Sequence, residues 1–473
     1  MVLTFGNLLS KCQEVHMAAQ MPLADAELTS AVELLRKLVP EDDFPAYSLE
    51  LSPATVYTTL LTLWMLTLQR LGGGSSLEGV VKEVLTHNRA LLPDNKRVRE
   101  GTLSFKSGAY SRARQRLPIE TVQSFAQRVS QSLIDLSPSW LEGRRAYLID
   151  GTTMTLEPTS SLIEAYPPAT NQHGETVWPV MMLMVAHELE SGCALVPEFG
   201  AMYGPHRTSE AKQAAAIASR IPSGSLVLAD AGFGIFSVAW AMVGAGHDIL
   251  FRLTKSRANS LIRRAEVIER TAHSARYRLT WTPSAKDRQT NPELPAQASL
   301  EVFLHEVELE NGEFLYLLTS MPIPSQVAAE YYSHRYDVEH DIRDVKVSMG
   351  IESIRAKSDE MVQKELLCSV VAYNLVVQLR REAAKVANVQ PRRLSFTGVW
   401  TTMRICLLQQ TPCTWPEWQA RYERAVHIAA THKLPNRPGR TYPRRAHPRR
   451  PKSTKFMQQH LKQPTQSVTK KTK

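Results

Sequence analysis

The chain has 473 residues, a hydrophobic content of 43% and a charged content of 22%; at roughly 150 residues per domain, this length predicts several structural units. The composition excludes a wholly disordered chain, a fibre and a small disulfide-stapled scaffold. The net charge of +10 is concentrated at one end, because residues 433–473 hold 13 of the 56 Lys and Arg and no Asp or Glu.

The cysteines and apolar segments indicate the compartment. Five scattered cysteines with no C-x-x-C pair predict neither a disulfide framework nor a zinc site. The N-terminus lacks the pattern of a secretory signal, and the longest apolar run, residues 56–68, is too short to span a bilayer. We therefore expect a reduced, cytoplasmic protein with no membrane partner.

Residues 1–140 are predicted to be helical. Apolar side chains recur at helical spacing in residues 30–38, 54–71 and 119–136. A basic segment, residues 106–116, separates the last two. Such a block is compatible with binding DNA ends, and equally with a plain helical bundle that has a charged surface.

Residues 141–255 change to an alternating pattern. Apolar runs of strand length alternate with helical segments, which favours a mixed α/β sheet. Strands are predicted at residues 145–156, 179–186, 194–202, 225–229 and 248–253, and helices at residues 209–221 and 238–243. We interpret this segment as the first part of a catalytic core.

The rest of the chain divides into four segments. Residues 256–313 are predicted to be a β-rich insertion, whose last strand turns at Asn311-Gly312 and pairs with residues 314–319. The second core part, residues 314–385, contains a predicted helix from Ser325 to at least Val347 and another at residues 365–384. A C-terminal helical region, residues 386–432, and a disordered basic tail, residues 433–473, complete the chain.

Asp150 and Asp230 each follow an apolar strand and precede a small residue. Ligands of open α/β sheets bind at the carboxyl ends of strands, and two carboxylates placed there repel each other unless a cation lies between them. Hard cations such as Mg²⁺ prefer these ligands. The alternative is that each Asp only begins a turn.

A third carboxylate lies in the segment YSHRYDVEHDIRDVK, which begins at Tyr332. At about 100° per residue, one stripe about 60° wide holds Tyr332, Arg335, Glu339 and Lys346. Arg343 lies beside this stripe. A Glu among cations can complete a metal site while its neighbours bind phosphates. The alternative is a solvated row of ion pairs, Arg335–Glu339–Arg343.

The spacing Y-x2-R-x3-E-x6-K, preceded in order by Asp150-Gly151-Thr152 and Asp230-Ala231-Gly232-Phe233, resembles the DDE transposases of bacterial insertion sequences, insertion sequence family four. The resemblance covers about residues 50 to 385. It implies an RNase H-like, retroviral-integrase-like core. In that core Asp150, Asp230 and Glu339 would be catalytic and would hold two Mg²⁺ ions, for which Mn²⁺ can substitute.

The resemblance also implies the reaction and the DNA contacts. Water would cut at the element ends, and the freed 3′-OH would attack target DNA, with a hairpin formed between the two steps. Residues expected to contact DNA are Tyr332, Arg335, Arg343, Lys346 and Trp281. Trp281 would stack on a flipped base, although a tryptophan in a strand is more often a packing residue.

The expected partners are double-stranded DNA, as terminal inverted repeats and as target, and a second copy of the chain in the synaptic complex. The expected location is the bacterial cytoplasm, in association with the nucleoid. Two alternatives stay open: a non-catalytic relic that binds DNA ends, and an RNase H-like nuclease without strand transfer.

The basic tail predicts a salt-dependent contribution to DNA binding, against the alternative of a merely solubilising end. Deleting residues 433–473 should weaken DNA binding and flatten its dependence on salt, because fewer counterions are released. A titration of DNA affinity against salt concentration measures this effect. An unchanged slope would contradict the prediction.

Overall fold

The computed structural model describes residues 52, 54–87, 92–139, 143–171, 174–345, 354–408 and 415–435. The predicted helix at residues 30–38, Lys346 and the chain beyond residue 435 lie outside them. Among the described residues, no helix is both long and apolar enough to cross a membrane.

Ten strands form one mixed sheet. The strands are β1 (Ala146–Thr155), β2 (Pro168–Asn171), β3 (Gly174–Glu188), β4 (Glu198–Ala201), β5 (Leu226–Ala229), β6 (Asp248–Arg252), β7 (Glu266–Arg270), β8 (Ser274–Trp281), β9 (Leu300–Glu308) and β10 (Phe314–Thr319). Their order is β2-β3-β1-β5-β6-β10-β9-β8-β7, and β4 pairs with β3. Strands β1, β5 and β6 run parallel, while β3 and β10 flank them in the antiparallel direction.

The described helices precede the sheet, connect its strands and follow it. They are α1 (Thr59–Leu71), α2 (Leu77–His87), α3 (Lys96–Arg99), α4 (Gly108–Arg116), α5 (Ile119–Asp135), α6 (Ser160–Ala165), α7 (Glu210–Ile217), α8 (Phe236–Gly244), α9 (Lys255–Ile262), α10 (Ala285–Thr290), α11 (Ser325–Ser333), α12 (Tyr336–Arg343), α13 (Asp359–Ala387), α14 (Phe396–Leu408) and α15 (Trp415–Ala430). Short 3₁₀ turns occupy Ala218–Arg220 and Pro391–Arg393.

Strands of the predicted insertion extend the central sheet. The hairpin at Asn311-Gly312 is confirmed, because Phe314 pairs with Glu308 and Gly312 has the positive φ of +78° that this turn needs. Strand β10 also pairs with β6, so β9, β8 and β7 continue the same sheet. Pairing between sequentially distant strands cannot be read from apolar spacing, which explains why the sequence did not predict this continuity.

Helix α13 lies at the centre of the helical part of the molecule. Its side chains are buried over nearly the whole length, and α1, α5, α14 and α15 pack around it. A helix that is covered on all sides belongs to the interior of a protein. One hydrophobic cluster therefore includes the N-terminal helices, α13 and one face of the sheet.

A buried group of charges joins the N-terminal helices to α13. The Glu365 carboxylate on α13 pairs with the Arg114 guanidinium on α4, and Arg70 Nη1 of α1 lies 3.8 Å from Glu365 Oε2. Arg70 Nε also donates a hydrogen bond of 2.7 Å to Ser369 Oγ. All three charged side chains are buried and have lost their hydration. The attraction between the carboxylate and the two guanidinium groups compensates for that loss.

Replacing Glu365 should destabilise the protein strongly. Glu365→Gln leaves two buried guanidinium groups without a carboxylate, which should cost about 3–5 kcal/mol in the free energy of unfolding. Urea unfolding measures the change. The control Glu78→Gln removes an ion pair with Lys82 that is exposed to solvent, so it should leave the unfolding midpoint nearly unchanged. Equal effects of the two substitutions would contradict this role of Glu365.

Candidate active site

Asp150 lies within β1, between antiparallel β3 and parallel β5. The expectation that the strand ends at Asp150 is wrong, because β1 continues to Thr155 through its pairing with β3. Asp150 Oδ1 accepts a hydrogen bond of 2.8 Å from the Gly151 backbone N–H. Partial burial raises the pKa of the Asp150 carboxyl to about 6, despite the opposing effects of the Arg335 guanidinium and the Gly151 N–H; the negative charges of Asp230 and Glu210 add to the rise. Asp150 therefore belongs to a cluster of carboxylates.

Asp230 follows β5 directly, and its Oδ1 accepts a hydrogen bond of 2.8 Å from the Gly232 backbone N–H. Leu148 of β1 is paired with Leu228 of β5 in parallel register, and each aspartate comes two residues later. Because side chains alternate along a strand, both aspartates are directed to the face on which Leu148 and Leu228 lie. The expectation that the two strands bring these carboxylates together is met.

The predicted continuous helix from Ser325 to Val347 is wrong at its middle. Helix α11 ends at Ser333 and α12 begins at Tyr336, and the chain between them tightens to three-residue hydrogen bonds. Arg335 N–H bonds to Tyr332 O, and Asp337 N–H bonds to His334 O, both at 3.0 Å. A tighter turn advances side chains by more than 100° per residue, so the predicted single stripe does not extend across it.

Arg335 lies between the carboxylates of the strand and the helix. Its Nη1 is 3.6 Å from Asp150 Oδ2, and its Nη2 donates a hydrogen bond of 2.8 Å to Glu339 Oε1. The Glu339 side chain is 51% exposed, whereas that of Arg335 is 13% exposed. The structure thus contains the Arg335–Glu339 ion pair, which the sequence also predicted, as part of the alternative to a metal site. It also brings Glu339 to the same edge of the sheet as Asp150.

The other signature residues occupy different environments. Tyr332 is buried, with 6% exposure, in a cluster that contains Leu148, Leu228 and Leu317. Its ring therefore has a packing role, which the helical stripe did not predict. Arg343 is exposed on α12. Contacts of these two residues with DNA stay predictions, as does the role of Lys346.

Trp281 requires a correction. It is 5% exposed, and its ring packs edge-to-face against Phe236 at a centroid distance of 5.4 Å and an interplanar angle of 86°. A ring enclosed in this way cannot receive a base unless the surrounding core opens. The structure therefore favours the packing alternative over base stacking.

Sequence reasoning missed Glu210, a carboxylate close to Asp150. It is the first residue of α7, whose N-cap is Ser209, because the Ser209 side chain accepts a hydrogen bond from the Lys212 N–H. A Cβ atom added to Gly151 would lie only 2.7 Å from Glu210 Oε1. Gly151 therefore leaves room for the Glu210 side chain in the position it occupies. The sequence signal was the small residue directly after Asp150.

The donor chemistry suits a hard divalent cation, because the carboxylates of Asp150 in β1 and Asp230 just after β5 lie near each other. Asp150, Asp230 and Glu339 do not yet form a complete metal site. Within the described ranges, no three His, Cys, Asp or Glu side chains are close enough together to hold a metal ion. Arg335 instead supplies the positive charge between Asp150 and Glu339.

Comparisons with known proteins find similar transposases. A family model described as a transposase DDE domain matches residues 141–375. The chain is also 26% identical over 351 residues to the transposase InsG for insertion sequence element IS4 of Escherichia coli strain K12, covering 71% of this chain and 75% of that protein. A cryo-EM structure of the piggyBac transposase synaptic complex with hairpin DNA aligns with a TM-score of 0.41 and 10% identity, over 88% of this chain and 90% of that one.

The DDE domain and the similarity to an insertion-sequence transposase define the class: an enzyme that cleaves DNA and transfers strands. DDE transposase domains generally require divalent metal ions. Within this class, the chain belongs to the DDE transposases of the IS4 group, the insertion sequence family four indicated by its signature residues.

Trp281 provides a test of packing against base stacking. Trp281→Ala removes a large buried ring and should lower the free energy of unfolding by about 3–5 kcal/mol. The affinity of the folded variant for DNA should be unchanged. Thermal unfolding and a DNA-binding titration below the melting temperature measure the two effects. Normal stability with weaker DNA binding would show that the ring stacks on a base.

Proposed function

We propose that this transposase cuts the ends of its insertion sequence with an active site formed by Asp150, Asp230 and Glu339, which hold two Mg²⁺ ions. The observation that carries the proposal is the placement of three signature residues. Asp150 lies in β1, two residues past its last pair with the parallel strand β5, and Asp230 directly follows β5. Arg335 joins Asp150 to Glu339.

We further propose that the core is RNase H-like. The strand order β3-β1-β5-β6, with an antiparallel neighbour on one side of β1 and parallel strands on the other, supports this assignment. Catalytic carboxylates at the carboxyl end of β5, and just past the last β1–β5 pair in β1, agree with where open α/β sheets bind ligands. The helix that carries Glu339 covers the same face.

The side chains would divide the work between the cation site and the DNA. Bound divalent ions supply an activated nucleophile at neutral pH and stabilise the leaving oxygen. Asp150 and Asp230 are oriented by the backbone N–H groups of Gly151 and Gly232, so their free oxygens stay directed to the site. Arg335 exchanges its carboxylate partners for a DNA phosphate, which its planar fork can bind through two hydrogen bonds.

The finer course of the reaction follows from the family. Water cleaves one strand at the element end, and the released 3′-OH attacks the opposite strand, which forms a hairpin and frees the flanking DNA. A second water opens the hairpin, and the regenerated 3′-OH attacks the target. The substrate ends are terminal inverted repeats, and two copies of the chain bridge them. Arg343, exposed on α12, and Lys346 contact the DNA backbone near the cut. The protein acts in the bacterial cytoplasm, on the nucleoid.

Replacing Glu339 tests the assignment of the active site. Glu339→Gln should abolish cleavage of labelled DNA that spans both borders of the gene, because one metal ligand is lost. Binding of the ends should be retained. The assay compares Mg²⁺ with EDTA, and Glu78→Gln, an exposed substitution on α2, provides the control.

Three outcomes of the cleavage assay distinguish the proposed active site and reaction from their alternatives. Cuts that require Mg²⁺ and disappear in Glu339→Gln support the proposed site. A Glu339→Gln protein that still cuts would show that another carboxylate is the third ligand. Cleavage without joined products would indicate a nuclease that does not transfer strands.

A further inference from the structure

Helix α12 carries a second row of acidic side chains, on the side opposite Glu339. Asp337, Asp341 and Asp344 are four and three residues apart, so they lie on one face within about 60°. Glu339 points away from these three side chains by roughly 140–160°. The helix therefore has a front, where Glu339 meets the sheet edge, and a back, where the three aspartates meet the C-terminal part of the chain.

Arg392 binds two of these aspartates at once. Its Nε and Nη2 bind Asp341 side-on, at 3.3 Å to Oδ1 and 2.8 Å to Oδ2. The remaining nitrogen, Nη1, lies 3.3 Å from Asp337 Oδ2. All three guanidinium nitrogens thus bind carboxylates one helical turn apart. Planar side-on pairing of this kind fixes orientation as well as distance.

Arg380 connects the same segment to the third aspartate. Its Nη1 lies 3.3 Å from Asp344 Oδ2, while Nε and Nη2 donate hydrogen bonds of 3.1 and 2.8 Å to Leu394 O. Arg380 belongs to the buried helix α13, and Leu394 follows the turn that carries Arg392. The back of α12 is therefore attached to α13, a helix whose side chains are buried over nearly its whole length.

The surroundings of Arg392 favour a fixed position. Asp341 is only 2% exposed, and Arg392 packs near Gly192, whose carbonyl accepts a hydrogen bond from the Tyr373 hydroxyl. Burial alone would lower the pKa of Arg392, but the adjacent carboxylates, Asp341 first, raise it overall. A charge that is desolvated and paired in this way is costly to displace.

We propose that Arg392 is a positioning residue for the reaction: by binding Asp337 and Asp341, it holds α12 so that Glu339 meets Asp150 and Asp230. This inference rests on the proposed catalytic role of Glu339. The guanidinium nitrogens of Arg392 are all engaged by Asp337 and Asp341, so it acts through the placement of the helix. Outer residues that orient metal ligands typically change metal affinity or activity by about 10–100-fold when they are replaced.

Arg392→Gln tests this role against a matched control. The control is Arg393→Gln, since the neighbouring Arg393 is exposed and donates a 3.0 Å hydrogen bond to Leu434 O, with no contact to α12. Arg392→Lys provides a conservative variant, because an ammonium can pair with one carboxylate but cannot span two as the guanidinium does. Glu339→Gln serves as the catalytic reference.

Four quantities are measured for each full-length variant: the melting temperature, the affinity for end DNA, the single-turnover cleavage rate of bound DNA, and Mn²⁺ binding to the DNA complex by electron paramagnetic resonance. We expect Arg392→Gln to slow cleavage by about 10–100-fold and to weaken Mn²⁺ binding. Its DNA affinity should be unchanged. Arg392→Lys should fall between Arg392→Gln and wild type, and Arg393→Gln should equal wild type.

Wild-type cleavage and Mn²⁺ binding in Arg392→Gln would overturn the positioning role while leaving the active site intact. The same holds if Arg393→Gln is as slow as Arg392→Gln. If Arg392→Gln does not fold, Arg392→Lys and Asp337→Asn decide, since each keeps part of the network; wild-type rates in both would overturn the inference. Cleavage by Glu339→Gln would instead overturn the active-site assignment itself.

Discussion

Repulsion among carboxylates at one edge of the sheet is the constraint on which the site depends. The parallel register of β1 and β5 places Asp150 and Asp230 side by side, and α7 adds Glu210. Like charges in a partly buried place need a cation nearby. In the described conformation part of that charge comes from Arg335, which contacts Asp150 and Glu339. The arrangement that makes the edge suitable for divalent ions also makes Arg335 bind there.

The same constraint explains why α12 needs support from the C-terminal part of the chain. Its front face presents an exposed Glu339 to other carboxylates, and the repulsion between them is offset by Arg335, which the proposed reaction releases to a DNA phosphate. Its back face is bound by Arg392 and Arg380, which lie beyond the helix in sequence but adjacent to it in space. The helix that carries the third carboxylate is thus held from behind.

Much of this could be read from the sequence, since local patterns set most of the elements. The strand end before Asp230 and the Asn311-Gly312 hairpin depend on alternation and turn chemistry within a few residues. The strand end expected at Asp150 was wrong, since β1 continues to Thr155 by pairing with β3. The continuous signature helix failed because the tightened turn before Tyr336 is a tertiary effect. Spacing alone could not show that Trp281 is enclosed by Phe236, nor that Arg392 pairs with Asp341, a contact that joins distant segments.

The two sets of ion pairs on α12 differ in a way that matches their tasks. Arg335 pairs with a half-exposed Glu339, where water screens the charges and an incoming phosphate can compete for the guanidinium. Asp341 is almost wholly buried, and breaking its pair with Arg392 would leave an uncompensated charge inside the protein. Exchanging the partner of Arg335 at the front of α12 therefore costs little, whereas breaking the pairs of Arg392 at its back costs much. A helix built this way can change partners at its catalytic face while its own position stays fixed.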